Sequence, residues 1–117
     1  MQMFVTDFDG TLADDNSKVS DKTINSLKRL GEKGVISVIA TGRNLFSLNS
    51  AIDEYLPVDY VIFSSGIGIY NWKEKKLLQK KSLDEHSTSE IYRYLERNNY
   101  DFMVQFPVPD NHYFHCD

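Results

Sequence analysis

Two carboxylates stand two residues apart in the run Val5-Thr6-Asp7-Phe8-Asp9-Gly10-Thr11-Leu12, directly after the apolar Met3-Phe4. Carboxylates that close repel each other, so the pair calls for a cation, a shared proton or a chemical task. Aspartate is a workable nucleophile toward phosphorus, giving an acyl phosphate that water later cleaves. In that chemistry Asp7 attacks, while Asp9 protonates the leaving oxygen and later deprotonates the attacking water. Magnesium suits such an oxygen-only site and offsets the repulsion between Asp7 and a phosphate dianion. A calcium loop also begins D-x-D but needs Gly at its sixth position and Glu at its twelfth. Counted from Asp7 those positions hold Leu12 and Lys18, which removes that alternative. A plain Asp-Gly turn is the other reading of the segment taken alone.

The elements around the pair decide between them. Met3 to Thr6 reads as a short buried strand. Ser20 is a candidate N-cap, Val19 and Ile24 form a hydrophobic staple, and Ile24, Leu27 and Leu30 recur at helical spacing, with Gly31 and Gly34 as the stop. Val35 to Ala40 is a second, more apolar strand. Thr41-Gly42-Arg43 opens another helical pattern through Leu45, Leu48, Ile52 and Tyr55, closed by Pro57. Tyr60 to Phe63 is a third strand, followed by Ser64-Ser65-Gly66. Strand, helix, strand, helix, strand is the pattern of a parallel sheet covered by helices. Near-continuous apolar strands agree, because both their faces are buried. Ligands bind beyond the carboxyl ends of such strands, and all three polar clusters fall there. Thr41 offers a hydroxyl, Gly42 lets the main chain approach an anion, and a helix N-terminus at this point favours a phosphate. Arg43 is either a substrate clamp or a solvated side chain.

After Gly66 the pattern changes. Ile67 to Tyr70 and Lys76 to Gln79 flank a turn at Asn71 to Lys75, as in a hairpin; its lysines, at 73, 75, 76, 80 and 81, read as a solvated surface. Ser82 to Asn99 reads as an amphipathic helix whose Ile91, Tyr94 and Leu95 face a core. Phe102 to Phe106 is a further strand, ended by Pro107 and Pro109. His112-Tyr113-Phe114-His115-Cys116 invites a metal reading, but in a strand His112 and His115 point to opposite faces. His86 reads as a surface residue.

Composition narrows the class. With 117 residues, 41% hydrophobic and 26% charged, the chain is one domain's worth of a soluble globular protein. A net charge of -4 argues against a nucleic-acid surface. No segment is apolar for long enough to span a bilayer, and the N-terminus lacks signal-peptide features. One cysteine, Cys116, allows no internal disulfide and fits a cytoplasmic setting.

DFDGTL after an apolar strand, followed by ATGR after the second strand, resembles the haloacid dehalogenase-like (HAD) phosphatase superfamily. The order of elements looks like its Cof-type branch, in which a cap is inserted after the third strand and hairpin. The resemblance implies a Rossmann-like α/β core over residues 1–81 and the beginning of an inserted α+β cap over 82–117. It implies Asp7 as nucleophile and Asp9 as general acid/base, with Mg2+ held by the Asp7 side chain and the Asp9 main-chain carbonyl. Thr41 and Gly42 become phosphate contacts, with Arg43 near the substrate. The branch often has Asn-Gly after the third strand, and Ser65-Gly66 stands at that place, which puts Ser65 among the substrate contacts by position. Small phosphorylated metabolites of the sugar phosphate class are the implied substrates, and phosphosugar mutase chemistry is a variant. A receiver-type phosphoacceptor has its key Asp after the third strand, where this chain has Ser64.

Relatives also carry a lysine and a Gly-Asp-x-x-Asn-Asp stretch after the cap, neither matched here. The expectation is therefore a truncated chain of weak or no activity, or else a non-catalytic phosphate-binding module that self-associates through an open sheet edge.

Overall fold

The computed structural model describes residues 1–116. The three expected strands form, as β1 (Gln2–Asp7), β2 (Val35–Ala40) and β3 (Tyr60–Phe63), but β1, expected to be buried, is exposed along most of its length because only β2 pairs with it among the described residues. The three are parallel, with Gln2 to Asp7 opposite Val35 to Ala40, and Val38 to Ala40 opposite Tyr60 to Ile62. The hairpin of β4 (Gly68–Asn71) and β5 (Lys76–Lys80) adds antiparallel to β3, giving one mixed sheet in the order β1-β2-β3-β4-β5. This is a Rossmann-like sheet with flanking helices, as the sequence implies.

Helix α1 (Asp21–Glu32) starts at Ser20, whose Oγ accepts the Thr23 N–H at 3.1 Å. Its stripe of Ile24, Leu27 and Leu30 packs on the core, with the staple residue Val19 beside it. Gly31 lies inside the helix rather than ending it; the chain turns at Gly34, where φ is +72°. Helix α2 (Leu45–Ala51) is shorter than expected. Ile52 already has an extended ψ of 147°, so Tyr55 lies outside the helix. Both helices bury their stripes against the sheet: Leu27, Leu45 and Leu48 join Phe8, Ile39, Val61, Phe63 and Trp72 in one core.

Asp59, just before β3, knots the sheet together. Its Oδ2 accepts the Ser37 N–H at 2.7 Å, its Oδ1 pairs with the Lys73 ammonium, and its carbonyl accepts the Trp72 N–H at 2.9 Å. The hairpin lysines are not all merely solvated. Lys75 also lies 3.9 Å from the centre of the Trp72 ring and donates to the Glu54 carbonyl.

The remaining elements are α3 (Glu85–Arg97), β6 (Met103–Gln105) and β7 (Phe114–Cys116), the two strands pairing antiparallel as a separate sheet. The expected core face of α3 is not a core face: the helix buries no residue, and Ile91 and Tyr94 are exposed. Periodicity marks an apolar stripe, but burial needs a surface to meet it. Between α3, the linker after β5 and β6 lies a cavity of about 520 Å³ lined by Leu83, Ile91, Leu95, Phe102 and Phe106, among others. His86 is exposed, 3.4 Å from Glu90.

Candidate active site

The register sets the strand ends level: Asp7 closes β1 opposite Ala40, and Ala40 lies opposite Ile62 near the end of β3. The segments that leave the three strands therefore meet at one edge. After β1 the chain turns on Phe8, whose side chain is fully buried and whose carbonyl accepts the Leu12 and Ala13 N–H groups at 3.1 and 2.9 Å. Gly10, at φ +69°, permits that tight loop. Anchoring Phe8 inside leaves Asp7 and Asp9 exposed on either side of it. The Phe8 N–H donates to Asp7 Oδ1 at 2.8 Å, which fixes that carboxylate's orientation.

After β2, Thr41 is buried and held from three sides. Its N–H donates to the Ile62 carbonyl (2.9 Å), its carbonyl accepts the Ser65 N–H (3.1 Å), and its Oγ1 accepts the Arg43 N–H (3.1 Å). The Arg43 carbonyl accepts the Ser64 N–H at 2.8 Å. Ser64 and Ser65 both take left-handed φ values, 48° and 54°. Non-glycine residues hold that conformation only where their surroundings enforce it, and here the bonds to Thr41 and Arg43 do so. A Cβ on Gly42 would sit 3.6 Å from Ser65 Oγ, so Gly42 and Ser65 lie side by side.

The segment after β2 departs from the sequence pattern. Thr41, Gly42 and Arg43 do not open the helix; α2 begins at Leu45, with Asn44 as cap accepting the Ser47 N–H at 2.8 Å. The helix N-terminus therefore starts from Asn44, and the Thr41–Arg43 segment is a strand-end corner stitched to the segment after β3.

Arg43 crosses from this corner to the carboxylate loop. Its Nε donates to Asp9 Oδ1 and Oδ2 at 3.1 and 2.9 Å, and its Nη2 to Asp9 Oδ1 at 2.6 Å. Nη2 also donates to Ser17 Oγ at 2.8 Å, and the guanidinium carbon lies 5.2 Å from the centre of the Phe8 ring. The hydrogen bonds to Asp9 raise the affinity of the guanidinium for its proton still further. The six residues singled out in the sequence, Asp7, Asp9, Thr41, Gly42, Arg43 and Ser65, thus gather at one edge of the sheet.

The sequence model of the haloacid dehalogenase-like hydrolases matches residues 4–114. The chain belongs to this family. Among curated relatives it is 29% identical over 104 residues to phosphatase YwpJ of Bacillus subtilis, covering 89% of this chain and 36% of that protein. It is 26% identical over 86 residues to HMP-PP phosphatase of Klebsiella pneumoniae, covering 74% of this chain and 32% of that one. The solved structure of a haloacid dehalogenase-like hydrolase from B. subtilis superposes with a TM-score of 0.69 at 29% identity, covering 90% of this chain and 38% of that one. The chain thus spans about a third of the length of the curated relatives named here.

Sequence reasoning within this HAD frame missed two contacts. Ser17, in a polar loop, carries no signal of its partnership with Arg43. Asn111 comes after Pro107 and Pro109 and nothing in the sequence singles it out, yet it is buried and donates from Nδ2 to Ser64 Oγ at 2.8 Å, bracing the strained corner. His112, the next residue, stacks on Phe46 of α2 with ring centres 4.5 Å apart. It precedes β7 rather than lying in it, and among the described residues no three His, Cys, Asp or Glu side chains cluster as a metal site.

For Mg2+, the donors at the strand ends match in kind. Asp7 has one oxygen engaged with the Phe8 N–H, and its second accepts from no described protein group. A hard cation that keeps several waters can use one such carboxylate oxygen with a main-chain carbonyl.

Proposed function

We propose that this chain carries the nucleophile half of a Mg2+-dependent HAD phosphatase that acts on small phosphorylated metabolites through an aspartyl-phosphate. The observation that supports this most is the convergence of Asp7, Asp9, the Thr41–Arg43 corner and Ser65 at one level of three adjacent strand ends. In this reading the free oxygen of Asp7 attacks phosphorus in line with the departing oxygen, the P–O bond to the leaving group breaks, and Asp9 supplies its proton. Water, deprotonated by Asp9, then cleaves the acyl phosphate to release inorganic phosphate and restore Asp7. The Thr41 hydroxyl, the open main chain at Gly42 and the Ser65 hydroxyl orient the phosphate oxygens, and Arg43 supplies positive charge beside them. The Asp7 side chain and the Asp9 carbonyl would hold the cation, which, when bound, supplies charge neutralisation between nucleophile and phosphate.

Small phosphorylated metabolites as substrates fit the names of relatives such as the 5-amino-6-(5-phospho-D-ribitylamino)uracil phosphatase YcsE of Bacillus subtilis, and the sugar phosphate class is the one the sequence resemblance implies. The division into a core over 1–81 and the beginning of a cap over 82–117 is part of the same proposal. It draws support from the separate β6–β7 sheet. With two protein oxygens as cation donors the chain by itself should be slow, well below the roughly 1–1,000 per second of ordinary enzymes.

The test is phosphate release from sugar phosphates and p-nitrophenyl phosphate, with and without Mg2+, for the chain and for Asp7→Asn. A slow Mg2+-dependent rate that Asp7→Asn abolishes supports the proposal. A rate indifferent to Asp7, or none at saturating substrate, leaves the second reading, a non-catalytic phosphate-binding module, which the uncovered edge strand β1 favours.

A further inference from the structure

The guanidinium of Arg43 is already occupied by an anion, and that anion is Asp9. The fork edge formed by Nε and Nη2 is the one that matches a planar carboxylate or two oxygens of a phosphate. Asp9 fills it with both oxygens, at 2.6 to 3.1 Å. The second proton of Nη2 goes to Ser17 Oγ, so the other two-donor edge is partly engaged as well. An arriving anion therefore obtains a two-pronged contact with Arg43 only by displacing one of these partners.

We propose that Asp9 is an internal stand-in for the substrate's phosphate, and that substrate entry is an exchange at Arg43. The incoming phosphate oxygens take the Nε/Nη2 fork, and the Asp9 carboxylate, released from it, turns toward the reacting oxygen. No covalent bond changes in this step. The identity of the incoming anion rests on the phosphatase reading above; the exchange itself rests on the geometry of the pair.

Three features make the exchange feasible. The pair is open to water, with the side chains of Arg43 and Asp9 25% and 50% exposed, and exposed ion pairs are weak enough to be displaced. The main chain of Arg43 is fixed by its bonds to Thr41 Oγ1 and the Ser64 N–H, so the side chain can change partner without disturbing the corner. The Phe8 ring lies beneath the guanidinium, 5.2 Å from it, as a fixed surface that also anchors the loop carrying both carboxylates. The arrangement also keeps an unpaired guanidinium from capturing unrelated anions in the resting protein.

Binding of inorganic phosphate by the full chain without metal, measured by calorimetry, tests the proposal. Asp9→Asn frees the fork and is expected to tighten phosphate binding at least about fivefold. Removing a negative charge helps any anion, so Asp7→Asn is the control: it removes the same charge without freeing Arg43, and is expected to give a clearly smaller gain than Asp9→Asn. Arg43→Ala and Arg43→Lys are each expected to cancel the gain when combined with Asp9→Asn, the lysine because it keeps the charge but lacks the fork. In the unaltered chain the Arg43 Nε–H resonance is expected to move on addition of phosphate. Equal gains from Asp7→Asn and Asp9→Asn, a gain that survives the loss of Arg43, or no phosphate binding by Asp9→Asn would each overturn the exchange. The two readings fail separately. Mg2+-dependent turnover without the Asp9→Asn gain removes the exchange alone, and the gain without turnover removes the phosphatase reading alone.

Discussion

At the scale of single residues, the carboxylates of this chain divide by what faces them. Asp9 faces a cation in an exposed pair. Asp59 faces a cation and a main-chain N–H inside the sheet. Burial alone would push the Asp59 carboxyl up, but the hydrogen bonds from the Lys73 ammonium and the Ser37 N–H outweigh it and hold the group below its ordinary value. A carboxyl held lower in the folded chain than in the unfolded one contributes stability above the unfolded value, about 3.9 for Asp. That contribution is lost as pH falls through the folded value. Asp59→Asn keeps the shape but loses the charge, so its melting temperature should lie below that of the unaltered chain at pH 7. The gap should narrow as pH falls from 7 to below the unfolded value of about 3.9. Asp84, likewise lowered by hydrogen bonds from the Ser87 N–H and hydroxyl, is the same in both proteins and so does not alter the gap between them. Thermal melts of both proteins across that range check this, and a gap that stays constant with pH would assign the effect of Asp59 to packing instead.

At the scale of elements, the close pairing of β3 and β4 depends on one missing side chain. Phe63 and Gly68 stand opposite each other, and a Cβ on Gly68 would lie 2.1 Å from the Phe63 ring, which is itself fully buried. Gly68→Ala must therefore push the ring or the strand aside. Overpacking of this kind costs about 1–3 kcal/mol, which chemical denaturation should show as a lower midpoint. Phe63→Leu combined with Gly68→Ala should recover part of the loss; a Gly68→Ala chain as stable as the original would sink the argument. The same elements show what a sequence can and cannot reveal. β2 and β3 have the expected bounds, because Val35 to Ala40, apolar except for Ser37, and Tyr60 to Phe63 are bounded by Gly34, Thr41, Asp59 and Ser64. The start of α2 differs from the expected one because Thr41 and Asn44 are both acceptable caps in sequence, and only the bonds from Ser64 and Ser65 to the Thr41–Arg43 main chain decide between them. The strand ends announce Asp7, Asp9 and Thr41, since polar residues stop apolar runs there. Arg43 meeting Asp9, 34 positions away, and Asn111 bracing Ser64, 47 positions away, depend on tertiary packing that leaves no local pattern.

At the scale of the whole molecule, the chain is long rather than round. Its radius of gyration is 17.0 Å, with extents of 54 × 30 × 19 Å, against about 13 Å for a compact domain of this length. The elongation leaves two surfaces uncovered, the apolar stripe of α3 and the outer edge of β1. The edge has the greater consequence. Among the described residues β1 pairs only with β2, and its consecutive residues Met3, Phe4 and Val5 are 58%, 38% and 52% exposed, so both of its faces and its outer row of peptide groups meet water. Sheet edges normally carry a charge, a proline or a bulge that discourages pairing, and Gln2 to Thr6 contains no charge and no proline. For the 117-residue chain by itself, a second copy of the same strand can pair with such an edge. Light scattering should therefore show a mass rising above 13.5 kDa as concentration increases. Val5→Lys, which sets a charge on the edge, should return the chain toward monomer while leaving phosphate affinity at the Thr41–Arg43 corner unchanged. If the variant still associates, the contact uses the α3 stripe, and Ile91→Lys should then disperse it. A constant monomer mass at all concentrations would show that twist or solvation of β1 is enough to protect the edge.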